Sequence, residues 1–591
     1  MPALRFTGFL GEIPRTAERL LPDMAAQEAN NVNLTSGEIR PVRPAALAYT
    51  PPGVGPYLAA YRAVHGATSK WKAWPTDVDI AKGPFNTDVE PRYYWTGDGC
   101  PRYATFTDFG LTEYALGLPA PTAQPSASHS GGTGSVVNRA YCYTFYQPAT
   151  GEESPPSPVS EVVAGRADGT WTVAGLAAAP TNTRAAPWNT NGLYQRLYRT
   201  SGTAASFQLV GERAVSTDNW TDALTDAQIM GDELISTDWQ PPPDNLLGLI
   251  ALPNGALCGF SGNLLCFSEP YQPHAWPLKY QYGTDFPIVA VANYGTTVVA
   301  GTSAYPFIFT GQDPSVVTPE RVDNAWPCLS KRSMASVGDG VVYSTTYGIA
   351  YVGLAGPRIF TNGLFTREEW QPLNPSSMVC AYSEGNLFVT YTQSGQMSRM
   401  LVISPGEVSS LARYNHSPTE LYADPSNGLL YLVGYTVEQW DAGEGLRMAF
   451  NWLSKEFELA EPVNLGAAKV EFASLLSEAD KATAQAHYVA DMTFNQSIID
   501  SKDQVGAFND DSFNSIPIDG SHLIAPRLPA DWLALTVYSR DGEVTTVDVF
   551  DNQAFRLPSG FKSDILSIRL AGNVRVKSVK LAETMIGLKQ A

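Results

Sequence analysis

Short runs of alternating apolar and polar residues, broken by Gly, Pro, Asn or Asp, recur along almost the whole chain. A period of two marks half-buried β-strands. Between residues 245 and 445 the runs come in pairs. They are Ala256-Leu-Cys-Gly-Phe with Asn263-Leu-Leu-Cys-Phe, Thr297-Val-Val-Ala-Gly with Tyr305-Pro-Phe-Ile-Phe-Thr, and Gly340-Val-Val-Tyr-Ser with Gly348-Ile-Ala-Tyr-Val. Asn386-Leu-Phe-Val-Thr-Tyr with Arg399-Met-Leu-Val-Ile, and Leu429-Leu-Tyr-Leu-Val with Val437-Glu-Gln-Trp, complete the series. Successive pairs are about 40 residues apart, in the range of propeller blades. The alternative is one irregular sandwich.

The rest of the chain divides around this region. Residues 51–120 carry Tyr57-Leu-Ala-Ala-Tyr-Arg-Ala-Val and Arg92-Tyr-Tyr-Trp-Thr, which read as a first part of the propeller-like domain. A breaker-rich stretch over 118–134 then opens a unit over 121–244. There Ala140-Tyr-Cys-Tyr-Thr-Phe-Tyr, Thr170-Trp-Thr-Val-Ala, Gln195-Arg-Leu-Tyr-Arg-Thr and Phe207-Gln-Leu-Val-Gly-Glu predict a small antiparallel sandwich. The order of features resembles a fibronectin type III module. Residues 446–591 predict a C-terminal β-sandwich, with strands near Asn451, Ala468, Trp532, Val544, Ser563 and Val574. Residues 1–50 read as an extended docking arm around one short helix, with Pro22 at its start, Asp23 in its first turn and Asn30-Asn31 as its stop. The fold class expected is thus all-β: a propeller-like domain, a sandwich insert and a C-terminal sandwich platform.

Composition agrees with many short strands: 16% charged residues, 50 Gly, 44 Pro and 11% aromatics. The net charge of −19 argues against gripping nucleic acid, which requires Lys and Arg to displace counterions. The six cysteines form no CxxC and no Cys/His zinc spacing, so buried, reduced thiols are expected. No h-region marks a signal peptide, and no apolar run approaches the roughly 20 residues of a membrane helix.

Catalytic signatures are sparse. The chain has no phosphate loop, no HExxH and no GxSxG; Gly259-Phe-Ser-Gly-Asn lacks the second glycine at the required spacing. The paired carboxylates Glu152-Glu153, Glu368-Glu369 and Asp510-Asp511 are adjacent in sequence, so on strands they point to opposite faces and cannot flank one substrate. Asn509-Asp-Asp-Ser-Phe-Asn lacks the spacing of a calcium loop. His274 lies in the polar-aromatic run Ser268-Glu-Pro-Tyr-Gln-Pro-His-Ala-Trp-Pro. We expect no enzyme, no cofactor and no metal.

Taken in order, the arm with Arg19-Leu-Leu-Pro-Asp-Met-Ala-Ala-Gln-Glu-Ala-Asn-Asn, the sheet segments, the insert, the propeller-like region and the final sandwich resemble the tail nozzle, or tail tubular protein B, of short-tailed bacteriophages. Leu197-Tyr-Arg-Thr, Cys328-Leu-Ser-Lys-Arg-Ser and Leu581-Ala-Glu-Thr-Met are also similar to patterns of phage virion proteins. The resemblance implies a structural subunit made in the bacterial cytoplasm and incorporated in the virion tail. It would assemble as a six-fold ring below a portal adaptor, seat tail fibres or tailspikes, and let double-stranded DNA pass without sequence-specific binding or membrane insertion. Candidate assembly contacts are Arg15, Arg19, Arg40, Arg43, His274 and Trp276. Residues 241–445 hold 16 Asp and Glu against 8 Lys and Arg, an excess that would repel DNA if it faced a ring lumen. The alternatives are a glycan-binding or glycan-cleaving tail protein and a propeller scaffold for peptides.

Overall fold

A computed structural model describes residues 3–85, 89–181, 186–201, 206–229, 231–393, 398–406, 408–503, 531–558 and 560–590. The chain is all-β, and among the described residues seven blades, the sixth of them continuous with a larger sheet, form a closed propeller. Blade 1 is the hairpin Ala59–His65 and Thr68–Trp74. Blade 2 runs from Asp79–Lys82 through Arg92–Thr96 and Arg102–Thr105 to Tyr114–Ala115. Blades 3, 4 and 5 are four-stranded and start with Leu247–Ala251, Ile288–Tyr294 and Ala335–Ser336. Blade 6 starts with Val379–Ser383 and blade 7 with Glu420–Ala423. The five sequence pairs are the middles of blades 3 to 7. The central strands are sealed by neighbouring blades on both faces, so Gly340–Thr345 is buried at every position and its alternation disappears.

Ring closure comes from the N-terminal arm. Strand Ala46–Tyr49 adds to the outer edge of blade 7, pairing with Val437–Gln439. Blade 7 then packs on blade 1 through Tyr57, Ala60, Tyr431, Val433 and Trp71. Blade 1 packs on blade 2 through Tyr61, Trp74, Tyr93 and Trp95.

The arm is not the helix-bearing segment expected from its sequence. Ala26–Asn30 is a strand, antiparallel to Phe450–Ser454 and joined at Asn30 to Arg413 of blade 6. Ala25, Ala26 and Ala29 are buried by this pairing, and burial in a sheet outweighs the helix propensity of an alanine-rich run. The arm therefore docks on its own chain. It links blade 6 to one sheet of the C-terminal sandwich, which continues through Ser563–Gly572, Leu533–Ser539 and Gly542–Asp548. The facing sheet contains Ala3–Phe6, Arg575–Ala582, Ala467–Ala473 and Phe555–Arg556. Between them lies one apolar core with Phe6, Trp452, Val470, Leu535, Ile568 and Val576. Trp452 is sealed at 0% exposure, edge-on to Phe6 and Phe9 at ring distances of 5.9 and 5.0 Å.

Helix Glu478–Asp503 interrupts this unit, an element absent from the sequence reading. Asp510-Asp511 and His522 lie outside the described residues. No helix among the described residues is long and apolar enough to cross a membrane.

The insert leaves the propeller after blade 2 and returns before blade 3. Its two principal sheets have orders Ser126–Ser130, Thr170–Ala174, Trp220–Asp222 and Glu152–Glu153, Tyr141–Gln147, Tyr194–Thr200, Phe207–Ala214. They enclose Tyr141, Tyr143, Trp171, Val173 and Leu197. A buried ion cluster braces one end: Arg199 Nε lies 2.9 Å from Asp222 Oδ2, which also accepts from Tyr141 Oη at 2.9 Å.

Candidate functional site: the propeller axis and the insert seam

The innermost strands of a propeller surround its axis. Here the segments entering those strands in blades 2, 5 and 7 bring five charged side chains together. Asp77 and Asp79 precede and open the first strand of blade 2. Lys331 and Arg332 sit on the 3-10 turn Lys331–Ser333 ahead of blade 5. Glu420 opens blade 7. Lys331 Nζ lies 3.1 Å from Asp77 Oδ1 and also pairs with Asp79. Arg332 pairs with Asp77, places Nη1 3.3 Å from Asp79 Oδ1 and Nε 3.4 Å from Glu420 Oε2, and donates through Nη2 to Val78 O at 2.7 Å.

Backbone groups complete the cluster. Gly248 of blade 3 donates its N–H to Asp79 Oδ2 at 3.0 Å. This position requires glycine: its φ is +67°, and a Cβ would meet the Phe260 ring at 2.5 Å. Glu420 Oε1 accepts the Leu421 N–H at 3.0 Å.

Cavities of about 300 and 180 Å³ share Asp79, Arg332, Glu420 and Leu421 in their walls. The charges therefore obstruct the axis between two small voids. Two cations face three carboxyls, and burial pushes Glu420 up to about 7, against the opposing pull of Arg332. Burial also opposes the charge on Arg332, but Glu420, Asp79 and Asp77 hold it protonated. The arrangement can ligate blades and exchange a proton. It contains no activated nucleophile: burial raises the thiol of nearby Cys380, as do Cys328 and Glu420.

A second polar group lies where the insert meets the propeller. His274 is 4% exposed, and its Nε2 accepts the Glu153 N–H at 3.2 Å. Its ring meets Trp239 edge-on at 5.4 Å. Burial, helped by Arg92, pushes the imidazole down to about 3, so it stays neutral. Burial pushes Glu152 up to about 8, against Arg92 and the Gly117 N–H. Trp276 is sealed at 1% exposure, with Nε1 donating to Pro273 O at 2.9 Å.

His274 thus ties the insert to its own propeller, Trp276 packs in the core between blades 2 and 3, and neither presents a surface to a neighbouring molecule. Both differ from the assembly contacts expected of them, because the polar-aromatic loop folds inward at the seam. The arm arginines stay closer to the surface. Arg15 is exposed and donates to Asn362 O, and Arg19 is exposed 4.0 Å from Glu458. Arg40 and Arg43 are half-buried beside Asp441 and Arg447.

Sequence reading missed Asp77, Asp79 and Glu420, single acids with no local spacing to mark them. The adjacent cations Lys331-Arg332 were a visible signal: they stand inside Cys328-Leu-Ser-Lys-Arg-Ser, in a region poor in basic residues.

No protein-family model matches the chain, and no curated protein matches it. Solved structures with partial similarity include the N-terminal domain of Nup159, at 7% identity and TM-score 0.22, covering 42% of this chain and 85% of that one. Another is BBS1N in complex with ARL6DN, at 11% identity and TM-score 0.21, covering 42% of this chain and 87% of that one. At these values neither likeness bears on the activity or partners of this chain.

Proposed function

We propose that this chain is a structural nozzle subunit in the tail of a short-tailed bacteriophage, working as one member of a six-fold ring. The observation that carries the reading is the obstructed axis. The propeller is braced through its centre by Asp77, Asp79, Lys331, Arg332 and Glu420, so its own hole is no conduit. A DNA path then has to run between copies, and each propeller is a solid wall element. The arm supports the same reading by tying propeller and sandwich together through Ala26–Asn30 and Ala46–Tyr49, as a load-transmitting block requires.

In this role the sandwich and insert offer surfaces to a portal adaptor and to fibres or spikes. The acidic excess of residues 241–445 supplies a lumen wall that DNA does not adhere to. Immunogold electron microscopy of intact particles, with antibody to this chain, tests the assignment. Gold at the tip of a short tail is the expected result. Unlabelled particles in a lysate that contains the protein would overturn it.

A further inference from the structure

A hollow opens beside blade 5 where the arm crosses it. It is lined by Trp326, Tyr347, Phe365, Arg15 and Arg367, around about 450 Å³ of space. A void of about 150 Å³ suffices to hold a benzene ring. Backbone pairing places the arm here: the Arg15 N–H donates to Leu364 O at 2.9 Å. Arg15 Nη1 donates to the Asn362 carbonyl and lies 3.2 Å from Asn362 Oδ1. The Arg367 guanidinium lies over the Tyr347 ring, 5.6 Å from its centre. Arg15, Tyr347 and Arg367 are exposed, so the hollow is open to solvent. Among the described residues neither arginine is ion-paired with a carboxylate. Glu369 accepts from the Thr366 N–H at 2.7 Å and from its hydroxyl at 2.9 Å in a helix cap, and Glu368 is exposed. Arginine and large aromatic rings are the side chains that anchor protein interfaces, and here they gather on a chain whose net charge is −19.

The same chain carries a projection of matching chemistry. Phe550 is 88% exposed, more than any other Phe, Tyr or Trp among the described residues. It follows strand Gly542–Asp548, the outermost strand of its sheet. Val549 is buried, and its N–H donates to Leu533 O at 2.8 Å, which fixes the base of the projection. Asp548 and Asp551, both exposed, flank Phe550 along the chain. Asp551 Oδ1 accepts the Gln553 N–H at 2.8 Å, and neither aspartate is ion-paired among the described residues. An exposed ring between two carboxylates is the complement of an aromatic hollow with two guanidiniums. Phe550 does not fill the hollow of its own chain, because its ring stands in solvent.

We propose that Phe550 of one copy seats in this hollow on the next copy, with Asp548 and Asp551 set against Arg15 and Arg367. The two faces differ, so the contact is heterologous and repeats from copy to copy, closing a ring where the rotation permits. The inference rests on the ring reading above and supplies its contact. A second copy is favoured over an unrelated partner because both halves of the contact, the ring with its acids and the hollow with its cations, stand on this one chain.

The test uses the full chain with p-benzoylphenylalanine in place of Phe550, irradiated over a range of concentrations. A covalent dimer is expected, with the cross-link mapped to peptides that carry Trp326, Tyr347 or Phe365. Sedimentation of wild type and variants runs in parallel, with circular dichroism to confirm folding. Phe550→Ser should weaken association roughly tenfold or more, as should Arg15→Glu combined with Arg367→Glu. Adding Asp548→Arg and Asp551→Arg to the double arginine variant should restore association, which a merely structural role would not. Mixing Phe550→Ser with the double arginine variant should give heterodimers that grow no further, because each supplies one intact face. No intermolecular cross-link, a cross-link elsewhere, or association of Phe550→Ser equal to wild type would overturn the proposal. Gold at the tail tip without this cross-link would overturn the contact and leave the nozzle reading standing; the cross-link without gold at the tail tip would do the reverse.

Discussion

Arg332 of the turn before blade 5 and Glu420 of blade 7 meet across the propeller axis, Nε to Oε2, at 3.4 Å. Arg332 is also held by Asp77 and Asp79 of blade 2, so blades distant in sequence are joined at the centre as well as through their neighbours. Removing one partner from such a set is costly, because the others stay buried and uncompensated.

Arg332→Met is therefore expected to destabilise the propeller by about 3 kcal/mol, leaving Lys331 alone against three carboxyls. Adding Asp79→Asn and Glu420→Gln should restore much of the loss, because the stranded charges disappear with their partner. Thermal unfolding of the single and triple variants measures this. If the triple variant were no more stable than Arg332→Met, the cluster would not act as a coupled unit.

Glu420 gives the axis a dependence on pH. Its carboxyl is raised from 4.5 to about 7, so the native chain keeps a proton that the unfolded chain has released across that interval. Stability from this group is greatest below about pH 4.5 and falls as pH rises to about 7, by up to about 3 kcal/mol. Glu420→Gln cannot lose a proton. Its Tm relative to wild type should rise across that window and level off above it. A Tm difference that is flat with pH would show that Glu420 does not titrate there.

His274 acts in the opposite direction. Its imidazole is lowered from 6.5 to about 3, so the unfolded chain takes up a proton that the native chain refuses. The seam's contribution is complete above about pH 6.5 and declines as pH falls towards 3. His274→Phe should be less stable than wild type at neutral pH, through the lost Glu153 bond, and the gap should shrink on acidification. Tm measured against pH for both proteins provides the comparison; a gap that widened in acid would contradict the buried neutral imidazole.

Trp452→Ala should cost about 3–5 kcal/mol. It empties the space between Phe6 and Phe9 and releases the Leu10 carbonyl, to which Trp452 Nε1 donates at 3.0 Å. Because the residue joins the arm to the sandwich, urea unfolding should show the C-terminal unit melting before the propeller. A single transition shifted by less than about 1 kcal/mol would mean that the arm contributes little to this core.

Much of the architecture was legible because it is local. Blades 3 to 7 each contain a hairpin whose strands and turn lie within a few dozen residues, and hairpins write their pattern directly into sequence. The arm was not legible. Pro22, Asp23 and the alanines that follow carry helix signals, and the partners that turn this run into a strand, Asn451 to Ser454, lie at the other end of the sequence. The axis was hidden for the same reason: Asp77, Arg332 and Glu420 belong to three different blades, and nothing adjacent to any one of them reveals the other two. His274 stood out as part of a polar-aromatic run, but its seat against Glu153 depends on how the insert folds back, which no local pattern encodes.

Strand Ala3–Phe6 pairs with Arg575–Ala582, more than 500 residues further along the chain. At about 5–20 residues per second, the ribosome needs roughly half a minute to two minutes to deliver the partner. Throughout that time the opening strand has an unmet edge, and Ala46–Tyr49 waits similarly for Val437–Gln439. These two closures join segments very distant in sequence, and such pairings form slowly and leave strand edges exposed to aggregation meanwhile. Completion is consequently a late, all-or-none event: a chain truncated before the final sheet leaves its N-terminal strand unpaired, so premature termination should yield material for degradation rather than a defective building block.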